Sequence, residues 1–96
     1  MVARVSTFEG GTADGIRAAA REMKERVGEG PPEGVKSTGL TMLVDPDGGK
    51  VMMIGVFASE ADLRDSEAAL EQMNPPQGLG SRSSVETFEL ATEVRM

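Results

Sequence analysis

Histidine, tryptophan, tyrosine and cysteine are all missing from this 96-residue chain, and each absence removes a class of chemistry. Without histidine, no side chain titrates near neutrality at its ordinary pKa and no imidazole can hold a metal. Without cysteine there is no thiolate nucleophile, no thiolate metal site and no disulfide framework. Loss of the phenol and the indole leaves Phe8, Phe57 and Phe88 as the only aromatics. Positive charge is scarce too: ten Lys and Arg stand against sixteen Asp and Glu, for a net charge of −6. Nucleic-acid binders gain affinity by neutralising phosphates with basic side chains, so this balance argues against that class. No run approaches the roughly 20 apolar residues of a membrane span, and the N-terminus lacks a basic-then-apolar leader pattern. The expectation is a single cytoplasmic domain over residues 1–96, with no membrane or nucleic-acid partner and no cofactor or metal assigned.

Six elements can be read from the pattern of what is there. Residues 2–9 carry Val2, Val5, Thr7 and Phe8 and end at Gly10-Gly11, which predicts a strand. Thr12 or Asp14 is placed to cap a helix in which Ile16, Ala19, Ala20, Met23 and Val27 recur at helical spacing. Gly28, Gly30, Pro31 and Pro32 supply its stop. Residues 35–44 and 51–57 read as two strands around Asp45-Pro46-Asp47-Gly48-Gly49-Lys50, where proline fixes one φ and glycines allow positive ones. Ser59-Glu60-Ala61-Asp62 has the form of a helix cap, followed by Leu63, Leu70 and Met73 and closed by Pro75-Pro76. Residues 77–82 read as a polar connection, and residues 85–94 as the last strand.

Two strand–helix–strand units joined by a hairpin predict an α+β, ferredoxin-like βαββαβ fold. Right-handed crossovers place both helices on one face of a four-stranded antiparallel sheet. The third strand, Val51-Met52-Met53-Ile54-Gly55-Val56-Phe57, is apolar at both parities. Successive side chains point to opposite faces, so such a strand needs cover on both sides. Two helices cover one side. The patch left on the other would exceed the few hundred Å2 that soluble monomers expose, so a homodimer paired sheet to sheet is expected.

Read over its whole length, the chain resembles the dimeric α+β barrel superfamily, and within it the antibiotic-biosynthesis-monooxygenase-like (ABM-like) proteins. The resemblance rests on the opening strand Val2-Ala3-Arg4-Val5-Ser6-Thr7-Phe8-Glu9 and the hairpin Leu43-Val44-Asp45-Pro46-Asp47-Gly48-Gly49-Lys50-Val51. It continues in the helix Ser59-Glu60-Ala61-Asp62-Leu63-Arg64-Asp65-Ser66-Glu67 and the last strand Ser84-Val85-Glu86-Thr87-Phe88-Glu89. It implies a homodimer, a barrel made by two sheets, and a cavity between sheet and helices in each subunit. Relatives include cofactor-free oxygenases of polyketide aromatics and haem-degrading enzymes, which use Asn, Trp, Tyr or His. This chain has only Asn74 among those types, at a helix end before two prolines. No catalytic residue is carried over. The implied function is a homodimeric, monooxygenase-like protein holding a small hydrophobic or aromatic compound; the alternative is a non-catalytic assembly or regulatory module.

The candidate pocket comprises Arg4, Ser6, Thr41 and Met53. Arg4 is a cation in a semi-buried strand. It reads either as a cross-strand partner of Glu86 or Glu89, or as an anchor for a carboxylate or enolate ligand. Ser6 and Thr41 can hydrogen-bond a ligand, or serve as ordinary strand residues. Seven methionines suit either an adaptable pocket or core filling, the latter expected for Met23, Met42, Met52, Met53 and Met73. Gly55 marks either a close approach or a bulge. Gly10-Gly11-Thr12 is a weak helix-N-terminal anion site, and Asp45-Pro46-Asp47-Gly48 lacks the spacing of a calcium loop.

Overall fold

A computed structural model describes residues 1–27, 34–72 and 78–94. The stops expected at Gly28, Gly30, Pro31 and Pro32 and at Pro75-Pro76, together with Met73, Asn74 and Gln77, lie outside the described residues. The order is β1 (Val2–Gly10), α1 (Ala13–Val27), β2 (Ser37–Asp45), β3 (Lys50–Phe57), α2 (Glu60–Gln72) and β4 (Gly80–Glu89). The strands form one antiparallel sheet in the order β2-β3-β1-β4. This is an α+β fold, and the strand order is consistent with the ferredoxin-like arrangement.

Local chemistry sets the boundaries. Thr12, rather than Asp14, caps α1: its Oγ1 accepts from the Gly15 amide at 3.1 Å. Ser59 Oγ does the same for Asp62 at 3.1 Å, starting α2. In the hairpin, Asp45 Oδ1 accepts from the Gly48 amide at 3.1 Å, an Asx turn that joins β2 to β3.

Register assigns the faces. Val2, Arg4, Ser6 and Phe8 of β1 stand opposite Phe57, Gly55, Met53 and Val51 of β3, and this row faces the helices. Its apolar members divide into two cores. One joins Phe8 and Val51 to Ile16 and Ala19 of α1 and to Leu79, with Met42 and Met53 against it. The other joins Val2 and Phe57 to Val35 and Leu63, with Ala69 and Leu70 of α2 against it. Met52, by contrast, faces the other side of the sheet, opposite Thr7 and Leu43.

Two expectations need correction. The last strand begins at Gly80, not residue 85, and ends at Glu89, not residue 94. Its first half is polar because it runs along the sheet edge, where backbone pairing with β1 needs no apolar alternation. Its last ladder pair is Glu89 with Val2, after which the Leu90 amide donates a hydrogen bond to the Met1 carbonyl at 2.9 Å. The supposed polar connection also holds Leu79, which is fully buried. Gly80, at φ 81°, makes this turn possible, since any Cβ there would collide with the Glu9 carbonyl oxygen.

Ser66 is the one wholly buried polar side chain among the described residues. Its hydroxyl donates to the Asp62 carbonyl at 2.8 Å and accepts from the Lys36 amide at 2.8 Å, tying the approach to β2 onto α2. Beside it the Lys36 ammonium, 3.1 Å from Asp65, has its pKa raised by that hydrogen bond and by the carboxylate's charge. Ser66→Ala leaves the Lys36 amide without its acceptor, so a loss of about 1–3 kcal/mol is expected in urea unfolding. An unchanged midpoint would show that this stitch contributes nothing.

Candidate functional site

Three of the four pocket residues share the helix-facing side. Ser6 is directly opposite Met53, and Arg4 lies one helix-facing position along β1. Thr41 is not with them: it pairs with Ile54, is exposed, and faces the uncovered side. Arg4 has its side chain only 12% exposed, and it does not pair with the acids of β4. Glu86 is opposite Val5 and so points to the other face, and Glu89 is opposite Val2, beyond Arg4. Instead Nη1 donates to Ser6 Oγ at 3.0 Å, and Nη2 lies 3.5 Å from Glu71 Oε1 of α2. The other oxygen of Glu71 is 3.4 Å from Arg82 Nη2. One carboxylate thus bridges two guanidinium groups.

Arg82 was invisible as a site residue because its face depends on a β-bulge. The β1–β4 register slips between Thr7 and Phe8, so that Ser84 opposes Thr7 while Arg82 opposes Phe8. Ser83 is the extra residue, its hydroxyl bonded to the Thr7 carbonyl at 3.3 Å. Strict alternation from Val85, opposite Ser6, would send Arg82 to the uncovered face; the bulge returns it to the helix side. Gly55, by contrast, is in regular register between Arg4 and Leu40, so it is not a bulge. The space it leaves borders the Phe57 ring, which a side chain there would meet at 3.4 Å.

A second feature is a cleft of about 260 Å3 between α1 and β2, lined by Ala20, Met23, Lys24, Leu40, Met42 and Val44. Its lining is apolar except for Lys24, and it is an open groove whose Leu40 and Val44 are both exposed. The Gly11 amide at the start of α1 is already bonded to the Gly49 carbonyl at 3.2 Å, which removes one donor from the anion site considered there. Among the described residues no group of three or more carboxylates is arranged to hold a metal ion, and no helix is long and apolar enough to cross a membrane.

The third feature is the face away from the helices. There Val5 of β1, Met52, Ile54 and Val56 of β3, Leu43 of β2 and Phe88 of β4 form one apolar surface, with Ala3 buried among them. Leu43 is 51% and Phe88 49% exposed, and in the interior of this face the one charge is Glu86. No protein-family model matches the chain, and no curated protein matches it.

The Glu71 bridges are long and the carboxylate is 58% exposed, so solvent screens them. Glu71→Gln is therefore expected to change unfolding stability by less than about 1 kcal/mol. A loss of several kcal/mol by calorimetry would make this bridge a structural keystone and not an adjustable contact.

Proposed function

We propose that the chain works as a homodimer of the dimeric α+β barrel, ABM-like kind, joined through the uncovered sheet faces and holding a small hydrophobic or aromatic compound on the helix side of each subunit. The observation that carries the pairing is the apolar face on which Leu43 and Phe88 are exposed and Met52, Ile54 and Val56 between them are partly buried. Facing sheets would remove it from water. At roughly 25 cal/mol per Å2, even a few hundred Å2 per subunit supplies several kcal/mol before the entropy of association is subtracted. The reading of a bound compound is supported by the apolar cleft between α1 and β2 and by Arg4, Ser6 and Met53 on the same side. With no histidine, tyrosine or cysteine in the chain, chemistry there would come from positioning a compound that itself reacts with O2.

The alternative, a non-catalytic assembly or regulatory module, is favoured by one feature: the cleft lining carries a single ionisable group, Lys24, and no acid–base pair. The pairing is common to both readings. Size-exclusion with light scattering is expected to give twice the 10.1 kDa chain mass. Leu43→Glu places a charge on a half-exposed position, so it should leave the subunit folded and return a single-chain mass. A wild-type mass of one chain at micromolar concentration would sink the proposal.

A further inference from the structure

The helix-facing row of the sheet has a polar break between its two apolar cores. Val2 and Phe57 belong to one core, Phe8 and Val51 to the other, and Arg4 and Ser6 lie between them on β1. Gly55, beside Arg4, contributes no side chain. An arginine so largely covered sheds much of its hydration and calls for full pairing. The contact it has is weak. Charge-assisted bonds of this kind are ordinarily about 2.7–2.9 Å long, whereas Glu71 is 3.5 Å from Arg4 and 3.4 Å from Arg82. It is the one acid within ion-pair distance of either arginine among the described residues. Two cations sharing one half-exposed carboxylate leave a local excess of one positive charge in a chain whose net charge is −6.

One exposed apolar side chain, Val85, lies beside these groups. The helices pack on β1, β2 and β3, so the helix-facing side of β4 is at the margin. Val85, opposite Ser6, is 39% exposed there, and Thr87 stands opposite Arg4. The bulge at Ser83 brings Arg82 to this same side.

We propose that Arg4, Arg82 and Ser6 form a binding site for the carboxylate of a small aromatic or aliphatic acid, which displaces Glu71 from between the two guanidinium groups. The inference rests on the reading of the helix side as ligand-holding and names the ligand's class. A single excess positive charge matches a monoanion. The guanidinium forks match a carboxylate's two oxygens, and Val85 offers a surface for the apolar part.

The test is titration of the full-length 15N-labelled protein with benzoate and hexanoate, against benzamide, hexanamide and phenyl phosphate, followed by backbone amide shifts. The carboxylates should perturb residues 4–6, 71 and 82–85 and bind about tenfold or more tighter than the neutral amides. Arg4→Gln and the more exposed Arg82→Gln should each remove that preference, while Glu71→Gln, by removing the competing carboxylate, should strengthen binding. Equal affinity for acids and amides, tighter binding of phenyl phosphate, no binding of either acid, or an acid preference that survives Arg82→Gln would overturn the site. Light scattering on the same samples reports the pairing separately. Amide binding confined to the α1–β2 cleft would overturn the carboxylate site and leave the wider reading of a bound compound standing.

Discussion

Strand β3 sits inside the sheet with apolar side chains on both faces, and two helices reach only one of them. Val51, Met53 and Phe57 are taken up beneath α1 and α2, while Met52, Ile54 and Val56 are left on the other side. β1 and β2 reinforce the imbalance by adding Val5 and Leu43 to the uncovered face. A sheet so made is half of a core. The hydrophobic effect acts in proportion to apolar area removed from water, so the same force that seats the helices would favour covering this face as well. The proposed pairing of two copies follows from this constraint more than from any single contact.

Much of this was legible in the residues because period-2 and period-3.6 patterns report burial directly. The order of elements, the cap at Ser59 and the Asp45–Gly48 turn needed only local chemistry, while at α1 the residues offered Thr12 or Asp14 and the fold uses Thr12. The apolar character of both parities of β3 was equally plain, since every residue from Val51 to Phe57 except Gly55 is apolar and larger than alanine. The start of β4 was hidden for the opposite reason. An edge strand is held by its backbone, and residues 80–84 carry no alternation to betray it. Leu79 and Ser66 escaped notice because their burial is set by the tertiary approach of neighbouring segments, not by their own sequence context.

The site residues were legible in the same uneven way. Arg4, Ser6 and Met53 share a face by simple alternation across a regular β1–β3 ladder. Thr41 fell on the other face because its pairing with Ile54 puts it there, and the parity of β2 relative to β1 depends on the hairpin register. Arg82 and Glu71 are joined to Arg4 through a bulge and a helix-to-sheet contact, both long-range facts. The bulge matters to the proposed site as well as to the fold, since it returns Arg82 to the side of the sheet that carries Arg4. The polar break between two apolar cores is thus built from a regular ladder on one side of β1 and an irregular one on the other.

The central claim is that a second copy covers the face formed by Leu43, Ile54 and Phe88. The most direct measurement is an isotope-filtered NOE experiment on a mixture of 13C-labelled and unlabelled protein, which detects only contacts between copies. Cross-peaks to the unlabelled copy are expected from Leu43 and Ile54 methyls and the Phe88 ring, with none from Ile16 or Phe57. Absence of intermolecular peaks from that face, or their appearance at the helix-side core instead, would contradict the account.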